Sequence, residues 1–411
     1  DLYTYFIEKG VSLLTPDGLF SYIVANKWMR ANYGEPLRLW LKSQGLEEIT
    51  DFGDLPVFKG ATTYPCILRI RKTSPGSDGA SRSKVDVSLI RSLDFRDLSE
   101  YVGANSFFMT KSGLDDKGWS LVADSSRRLL DKILSVGIPL ENYVQGKIFR
   151  GVLTGLNEAF VIDQETRENL VRKDRKSTEI IKPFLAGRDI KRYSPPISNK
   201  YLIFSRRGIK ISEYPTIYEH LLPYKNKLIP RPEDWKGKEW QGRKPGAYQW
   251  YEIQDTVAYY KEFEKPKIIY PNICTKPEFS IDYSFSFANQ KCFIIPLEDI
   301  FLLGILNSKL SYFLFKMIFP RLRGGFYEPS YIYMKTFPIQ DFMERERKLF
   351  FLETVERMIA FSRQLSEVGT VSQKSILQRQ IEATDREIDQ LVYELYGLTD
   401  EEIKIVEGET S

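Results

Sequence analysis

Leu13-Leu14-Thr15-Pro16-Asp17-Gly18-Leu19-Phe20-Ser21-Tyr22-Ile23-Val24 sets the plan of the N-terminal part of the chain. Pro-Asp-Gly is turn chemistry, with proline presetting φ and glycine accepting positive φ. It divides an amphipathic helix expected over about 1–14 from a buried strand over 19–24. Working outward, the spacing predicts a second helix at about 33–44, ending near Gly45. Glu48-Ile49-Thr50-Asp51-Phe52 then reads as a strand, and Pro65 to Lys72 as a hairpin-like antiparallel strand. Short apolar strands separated by helices are the signature of a wound α/β sheet. The small, polar stretch Thr73 to Ser83 reads as an exposed loop or linker, Val85 to Ile90 as an edge strand, and Ser125 to Ser135 as a helix.

The 411 residues, 42% hydrophobic and 14% aromatic, are enough for two to four cored domains and argue against disorder. A net charge of +4, from 59 basic and 55 acidic side chains, falls short of a strongly basic nucleic-acid domain. Cys66, Cys274 and Cys292 have no short paired spacing, so neither a disulfide framework nor a zinc site is expected, and a reducing cytoplasm fits. The single histidine, His220, cannot head a metal cluster and reads as a helix-end residue. No membrane span is expected, because the most apolar stretch, Phe301 to Phe319, carries Lys309 and Lys316.

From about 140 to 340 the chain is dense in Tyr, Phe, Pro and short β runs such as Tyr201-Leu202-Ile203-Phe204, interrupted by a helix expected at 299–318. Residues 343–396 are charged, nearly free of Gly and Pro, and periodic. Ile381, Ile388 and Leu395 recur every seven residues, as do Leu377, Thr384 and Leu391. With a break at Gly369-Thr370, two antiparallel helices follow. The fold class is therefore a partial α/β sheet, then an α+β domain, then a C-terminal antiparallel helix pair. The expected boundaries are 1–72, a connecting 73–139, 140–342, and a helical tail 343–411.

Three stretches carry chemistry. Asp51-Phe52-Gly53-Asp54-Leu55-Pro56-Val57-Phe58 leads into Gly60-Ala61-Thr62-Thr63-Tyr64-Pro65. Asn26-Lys27-Trp28-Met29-Arg30 follows the first strand, where wound sheets line their ligand crevice. Gly146-Lys147-Ile148-Phe149-Arg150-Gly151-Val152-Leu153-Thr154-Gly155-Leu156-Asn157 combines turn glycines with donors of the kind used on phosphates and base edges.

With these stretches, residues 1–72 resemble the later motifs of adenine-N6 DNA methyltransferases of restriction–modification systems, the family with a TaqI-like C-terminal specificity domain. The Gly146 stretch, Lys182-Pro183-Phe184-Leu185-Ala186-Gly187-Arg188-Asp189-Ile190, Arg321-Leu322-Arg323-Gly324-Gly325-Phe326-Tyr327 and Tyr333 to Ile339 resemble its target-recognition domain. The family's glycine-rich cofactor loop and Asn/Asp-Pro-Pro-Tyr loop do not occur in this sequence. The resemblance therefore implies a fragment without a catalytic residue or a metal site of its own, whose N-terminal catalytic half precedes it. It implies S-adenosylmethionine as cofactor of the parent enzyme, none bound tightly here, and double-stranded DNA as partner.

The resemblance maps Phe58 onto the aromatic that packs on a flipped adenine, with Tyr64 as rival. An aromatic that only anchors a turn is the alternative. Asn26, Lys27 and Arg30 would lie near the active-site crevice, or else form a capped turn with Trp28 in the core. Candidate DNA contacts are Arg150, Thr154 and Asn157, then Arg206, Arg207, Lys225, Arg231, Arg243 and Lys244 interleaved with aromatics, and Arg321 and Arg323. Any single lysine among them reads equally as a solvated surface. Pro232-Glu233-Asp234-Trp235-Lys236 has the wrong spacing for a magnesium nuclease. The implied function is sequence-specific DNA recognition within a site-specific adenine-N6 DNA methyltransferase of a restriction–modification system (type IIG), with base flipping assisted by the residual methyltransferase motifs and cleavage by the parent left open. Alternatives are a non-catalytic specificity subunit, against which residues 1–72 weigh, and a protein-interaction scaffold.

Overall fold

The computed structural model describes all residues except 62, 73–82, 115–117, 120, 323, 343 and 409–411. The linker expected at Thr73 to Ser83 thus lies almost wholly outside the described residues. The chain forms two compact units. One comprises Asp1–Ser135, Leu322–Gly325 and Thr399–Ser411, and the other Val136–Arg321 and Phe326–Leu398.

The first unit opens with helix α1 (Tyr3–Ser12), which buries Ile7 and Val11, one turn apart, and leads through the Pro-Asp-Gly turn into β1 (Leu19–Ala25). Helix α2 (Glu35–Ser43) precedes β2 (Gly45–Asp51), and β3 (Pro65–Arg71) and β4 (Lys84–Leu89) follow. Helix α3 (Leu98–Asn105), β5 (Ser106–Thr110) and helix α4 (Asp124–Val136) complete it. The sheet order is β1-β3-β2-β4-β5. β3 is antiparallel to both β1 and β2, as its hairpin character predicts, while β2 and β4 are parallel. Cys66, Leu68 and Ile70 alternate along β3 and are fully buried with Leu46, Ile49, Val85 and Val87. The Val85 strand is not an edge: β5 pairs on its far side and takes that place. A strand cannot announce its second neighbour when that neighbour, Ser106–Thr110, sits inside an apparent connecting segment.

The second unit holds two four-stranded sheets. Its strands are β6 (Ile138–Pro139), β7 (Phe149–Arg150), β8 (Val161–Asp163), β9 (Ile181–Leu185) and β10 (Lys200–Ile203). They continue with β11 (Lys267–Pro271), β12 (Ser280–Asp282), β13 (Phe287–Ala288) and β14 (Cys292–Ile295). One sheet runs β13-β9-β10-β8 and the other β12-β11-β14-β7. Phe184, Leu202, Ile203, Phe204, Phe263 and Phe287 lie in the core cluster. A fully buried ion pair, Lys267 Nζ to Asp282 Oδ2 at 2.7 Å, ties β11 to β12.

The helix expected at 299–318 is two helices, Ile300–Leu306 and Lys309–Ile318, bent by 60°. The chain leaves the helical path at Ser308, whose backbone is extended, just after Asn307, whose buried amide bonds both the N–H and the carbonyl of Phe279, at 3.0 Å each. Ser308 then caps the second helix by accepting from Ser311 N–H. No single helix is long and apolar enough to cross a membrane among the described residues.

The tail forms helices Arg345–Glu367 and Val371–Leu395. Ion pairs Arg347–Glu394 and Arg357–Glu387 run in opposite sequence directions, so the two helices are antiparallel. Leu377, Thr384, Ile388 and Leu391 are buried along the expected stripe. Gly304 lies where a Cβ would approach Val355 Cγ2 to 2.6 Å, so the helix at Ile300–Leu306 sits tightly on the first tail helix. Arg192 bonds Asp385 in bidentate fashion, at 2.7 and 2.5 Å, and also the carbonyl of Asn307, which joins the second tail helix to the same unit.

Candidate nucleic-acid interface

In the first unit the ends of β1 and β2 and the start of β3 bring together Asn26, Asp51 and Tyr64. Asn26 Nδ2 donates to Asp51 Oδ1 at 2.8 Å, and its backbone N–H donates to the Tyr64 carbonyl at 2.7 Å. Asp51 Oδ1 also accepts from Gly53 N–H at 3.1 Å, and Gly53 takes φ +56°, which turns the chain sharply out of β2. Asp54 Oδ2 accepts from Gly324 N–H at 2.7 Å. The loop that follows presents Phe58 with 44% of its surface exposed, while Tyr64 is half-buried. Trp28 is completely buried, edge-on to Trp119, in a single turn over Asn26–Met29, whereas Lys27 and Arg30 are exposed. Buried Arg38 holds that turn by donating to the carbonyls of Trp28 and Ala31.

These polar atoms are engaged with one another and with backbone, and the described residues here offer no glycine-rich cradle for a nucleotide-like cofactor. Among the described residues no group of three or more His, Cys, Asp and Glu could hold a metal. Cys66, Cys274 and Cys292 are buried free thiols, each with its pKa pushed up by burial. His220 shares a hydrogen bond with the Ala159 carbonyl, and burial lowers its pKa.

In the second unit the basic candidates divide by burial. Arg150 is exposed, with Nε on the Gln290 carbonyl at 3.0 Å. Arg206, Lys225, Arg231, Lys244 and Arg321 are exposed, with Arg206 over Tyr260 and Lys225 over Trp250. Arg207 is half-buried, with Nη2 on the Gln254 carbonyl. Arg323 lies outside the described residues.

Two candidates face inward. Thr154 is 1% exposed and its hydroxyl donates to Asn157 Oδ1 at 2.7 Å. Arg243 is 4% exposed and gives its N–H groups to the carbonyls of Leu228, Thr154, Glu252, Gln249 and Trp250, at 2.7–3.3 Å. A guanidinium has five N–H donors, so none is left for a ligand. Both residues hold the loops in shape, and neither is carried forward as a contact.

A cleft of about 870 Å³ opens beside β9 and β10. Asn157 lines it, together with Arg188, Asn199, Lys200, Asn289 and Lys291. Of these only Asn157 stood out in the sequence as a candidate contact, because the cleft is assembled from five separate segments. Gly151 positions one wall: a Cβ there would lie 1.9 Å from the Asn289 carbonyl oxygen, so only glycine permits the approach.

Residues 182–339 match the TaqI-like C-terminal specificity domain. That stretch is similar to the specificity domain. Residues 1–58 match the Eco57I restriction-modification methylase family. Over 423 residues the chain is 23% identical to the type II methyltransferase M.PaeR7I of Pseudomonas aeruginosa, covering 99% of this chain and 66% of that protein. It is 23% identical over 346 residues to M.BanIII of Aneurinibacillus aneurinilyticus, covering 75% of this chain and 58% of the relative. The chain thus spans 66% and 58% of the length of these two relatives. Its fold is similar to that of MmeI, a type IIL restriction-modification enzyme solved in complex with DNA, with a TM-score of 0.57 at 11% identity over 98% of this chain and 49% of that one. Most of the specificity-domain match falls on the second unit, which also holds the cleft.

Proposed function

We propose that this chain is the sequence-reading portion of a site-specific adenine-N6 DNA methyltransferase of a restriction–modification system. The observation that carries this reading is the pairing, on one chain, of a methylase match over residues 1–58 with a specificity-domain match over residues 182–339. In this reading the second unit selects the site through its exposed cations and its cleft. Phe58, exposed on the loop after β2, stacks on the adenine swung out of the duplex, with Asn26, Lys27, Arg30 and Tyr64 close to that event. Methyl transfer from S-adenosylmethionine belongs to the whole enzyme, whose remaining catalytic motifs lie on a further stretch of polypeptide. A specificity subunit that borrows its catalyst from another chain is less well supported, since it has no use for a methylase segment at residues 1–58.

Fluorescence-anisotropy titration of the 411-residue chain against a randomised duplex pool, with bound sequences recovered, tests the reading. Enrichment of one short motif with steep salt dependence is the expected result. Absence of binding at low salt would overturn it.

A further inference from the structure

We infer that the cleft beside β9 and β10 grips a DNA phosphodiester, with Arg188, Lys200 and Lys291 as its cations. The inference rests on the DNA-reading role proposed above and adds to it a subsite of stated chemistry.

The charged side chains of the cleft are three cations and one carboxylate. The Arg188 side chain is 84% exposed and its nearest carboxylate oxygen, on Asp189, is 3.9 Å away, beyond hydrogen-bond range. Lys200 and Lys291 are exposed on adjoining walls. The amides add to this bias. Asn157 Oδ1 already accepts from Thr154, and Asn289 Oδ1 accepts from Lys291 N–H at 2.9 Å and from Cys292 Sγ, so each has its Nδ2 left to donate. The single carboxylate of the lining, Asp189, is mostly covered and accepts from the Ala186 N–H at 2.7 Å. Asp163, which feels Lys200, is used to cap the following helix at Thr166.

Three cations and the free amide N–H groups of Asn157 and Asn289, against one engaged carboxylate, select a ligand rich in acceptors. Within DNA that means phosphate oxygens or the N7/O6 edge of guanine. The phosphate is favoured by two features. A base-reading arginine must be held in place by its surroundings to discriminate, and Arg188 is unanchored. Exposed Ile197 and Ile273 rim the same cleft, an apolar lip that suits deoxyribose flanking a phosphate. An adenine-reading asparagine would need both amide atoms free; of the three asparagines in the cleft, Asn157 and Asn289 have their amide oxygens engaged.

The test uses the full chain, a duplex carrying the selected motif, and a salt series with Arg188→Gln, Lys291→Gln and the double variant. A lost phosphate contact shallows the log–log salt slope by about 0.9, so the double variant, which strips two of the three cations from one phosphodiester, shallows it by up to about 0.9 and each single variant by less. The selected motif and the thermal midpoint stay as in the unmodified chain. An unchanged slope in the double variant would overturn the inference while leaving the DNA-reading role standing. Relaxation of one guanine position with an unchanged slope would also overturn it, in favour of base reading. An unmodified chain that shows no salt-dependent binding would remove both.

Discussion

Replacing Arg243 with alanine separates a structural arginine from a DNA-contacting one, because the two roles predict opposite readouts. The guanidinium lies beneath Tyr248, with its carbon 4.6 Å from the ring centroid, and donates to five main-chain carbonyls spread over residues 154–252. Burial pulls its pKa down to about 10, which leaves it protonated at neutral pH. A hydrogen bond to a charged group contributes about 1.5–3 kcal/mol net, and a buried acceptor left without a partner costs about 1–3 kcal/mol. The five bonds do not add, because loosened loops let water reach some carbonyls; Gln249, for one, is already exposed. A loss of about 3–5 kcal/mol is expected, in the range for breaking a buried charged network. Urea unfolding followed by tryptophan fluorescence should show a lower midpoint with little change in slope. Under conditions where the variant remains folded, its salt slope for DNA should match that of the unmodified chain. A midpoint shift worth less than about 1 kcal/mol together with weakened DNA binding would refute the structural assignment, since a loss that small belongs to a surface side chain and not to a buried charged network.

Three further outcomes follow from the same coordinates. Asp282→Ala leaves Lys267 charged and wholly buried and also strips acceptors from the N–H groups of Ser284 and Ser286; a loss of about 3–5 kcal/mol in urea unfolding is expected. Asp389, 2% exposed, has its pKa raised to about 7, chiefly by burial, against about 3.9 when unfolded. The folded state therefore holds that proton more tightly, and the contribution is present below about pH 4 and lost as pH rises through about 7, worth up to about 4 kcal/mol. Asp389→Asn should flatten the stability–pH curve over that window, and an unchanged curve would count against it. Phe58→Ala should alter stability by less than about 1 kcal/mol, since the ring is 44% exposed, yet reduce the fluorescence rise of 2-aminopurine placed at the target adenine. An undiminished rise would assign the stacking to another residue.

Much of the secondary structure was legible in local pattern. The Pro-Asp-Gly turn, the alternation of Cys66, Leu68 and Ile70, and the seven-residue recurrence through Leu377, Thr384 and Leu391 each specify an element from its own residues, because period and turn chemistry are properties of neighbours in the chain. The motif between Asp51 and Tyr64 was likewise visible, including its exposed aromatic. What the sequence could not disclose depends on partners far away in the chain. The Val85 strand lost its edge position to Ser106–Thr110, and the helix expected at 299–318 broke just after Asn307, which bonds Phe279 across 28 positions. Arginine offers the same composition signal whether it faces solvent or interior: Arg206 projects outward while Arg243 is spent on five carbonyls. The donor-lined cleft joins residues from Asn157 to Lys291 through two sheets. Local periodicity determined which elements exist; tertiary packing decided which polar groups remained free, since a donor is available to a ligand only where folding has left it unpaired.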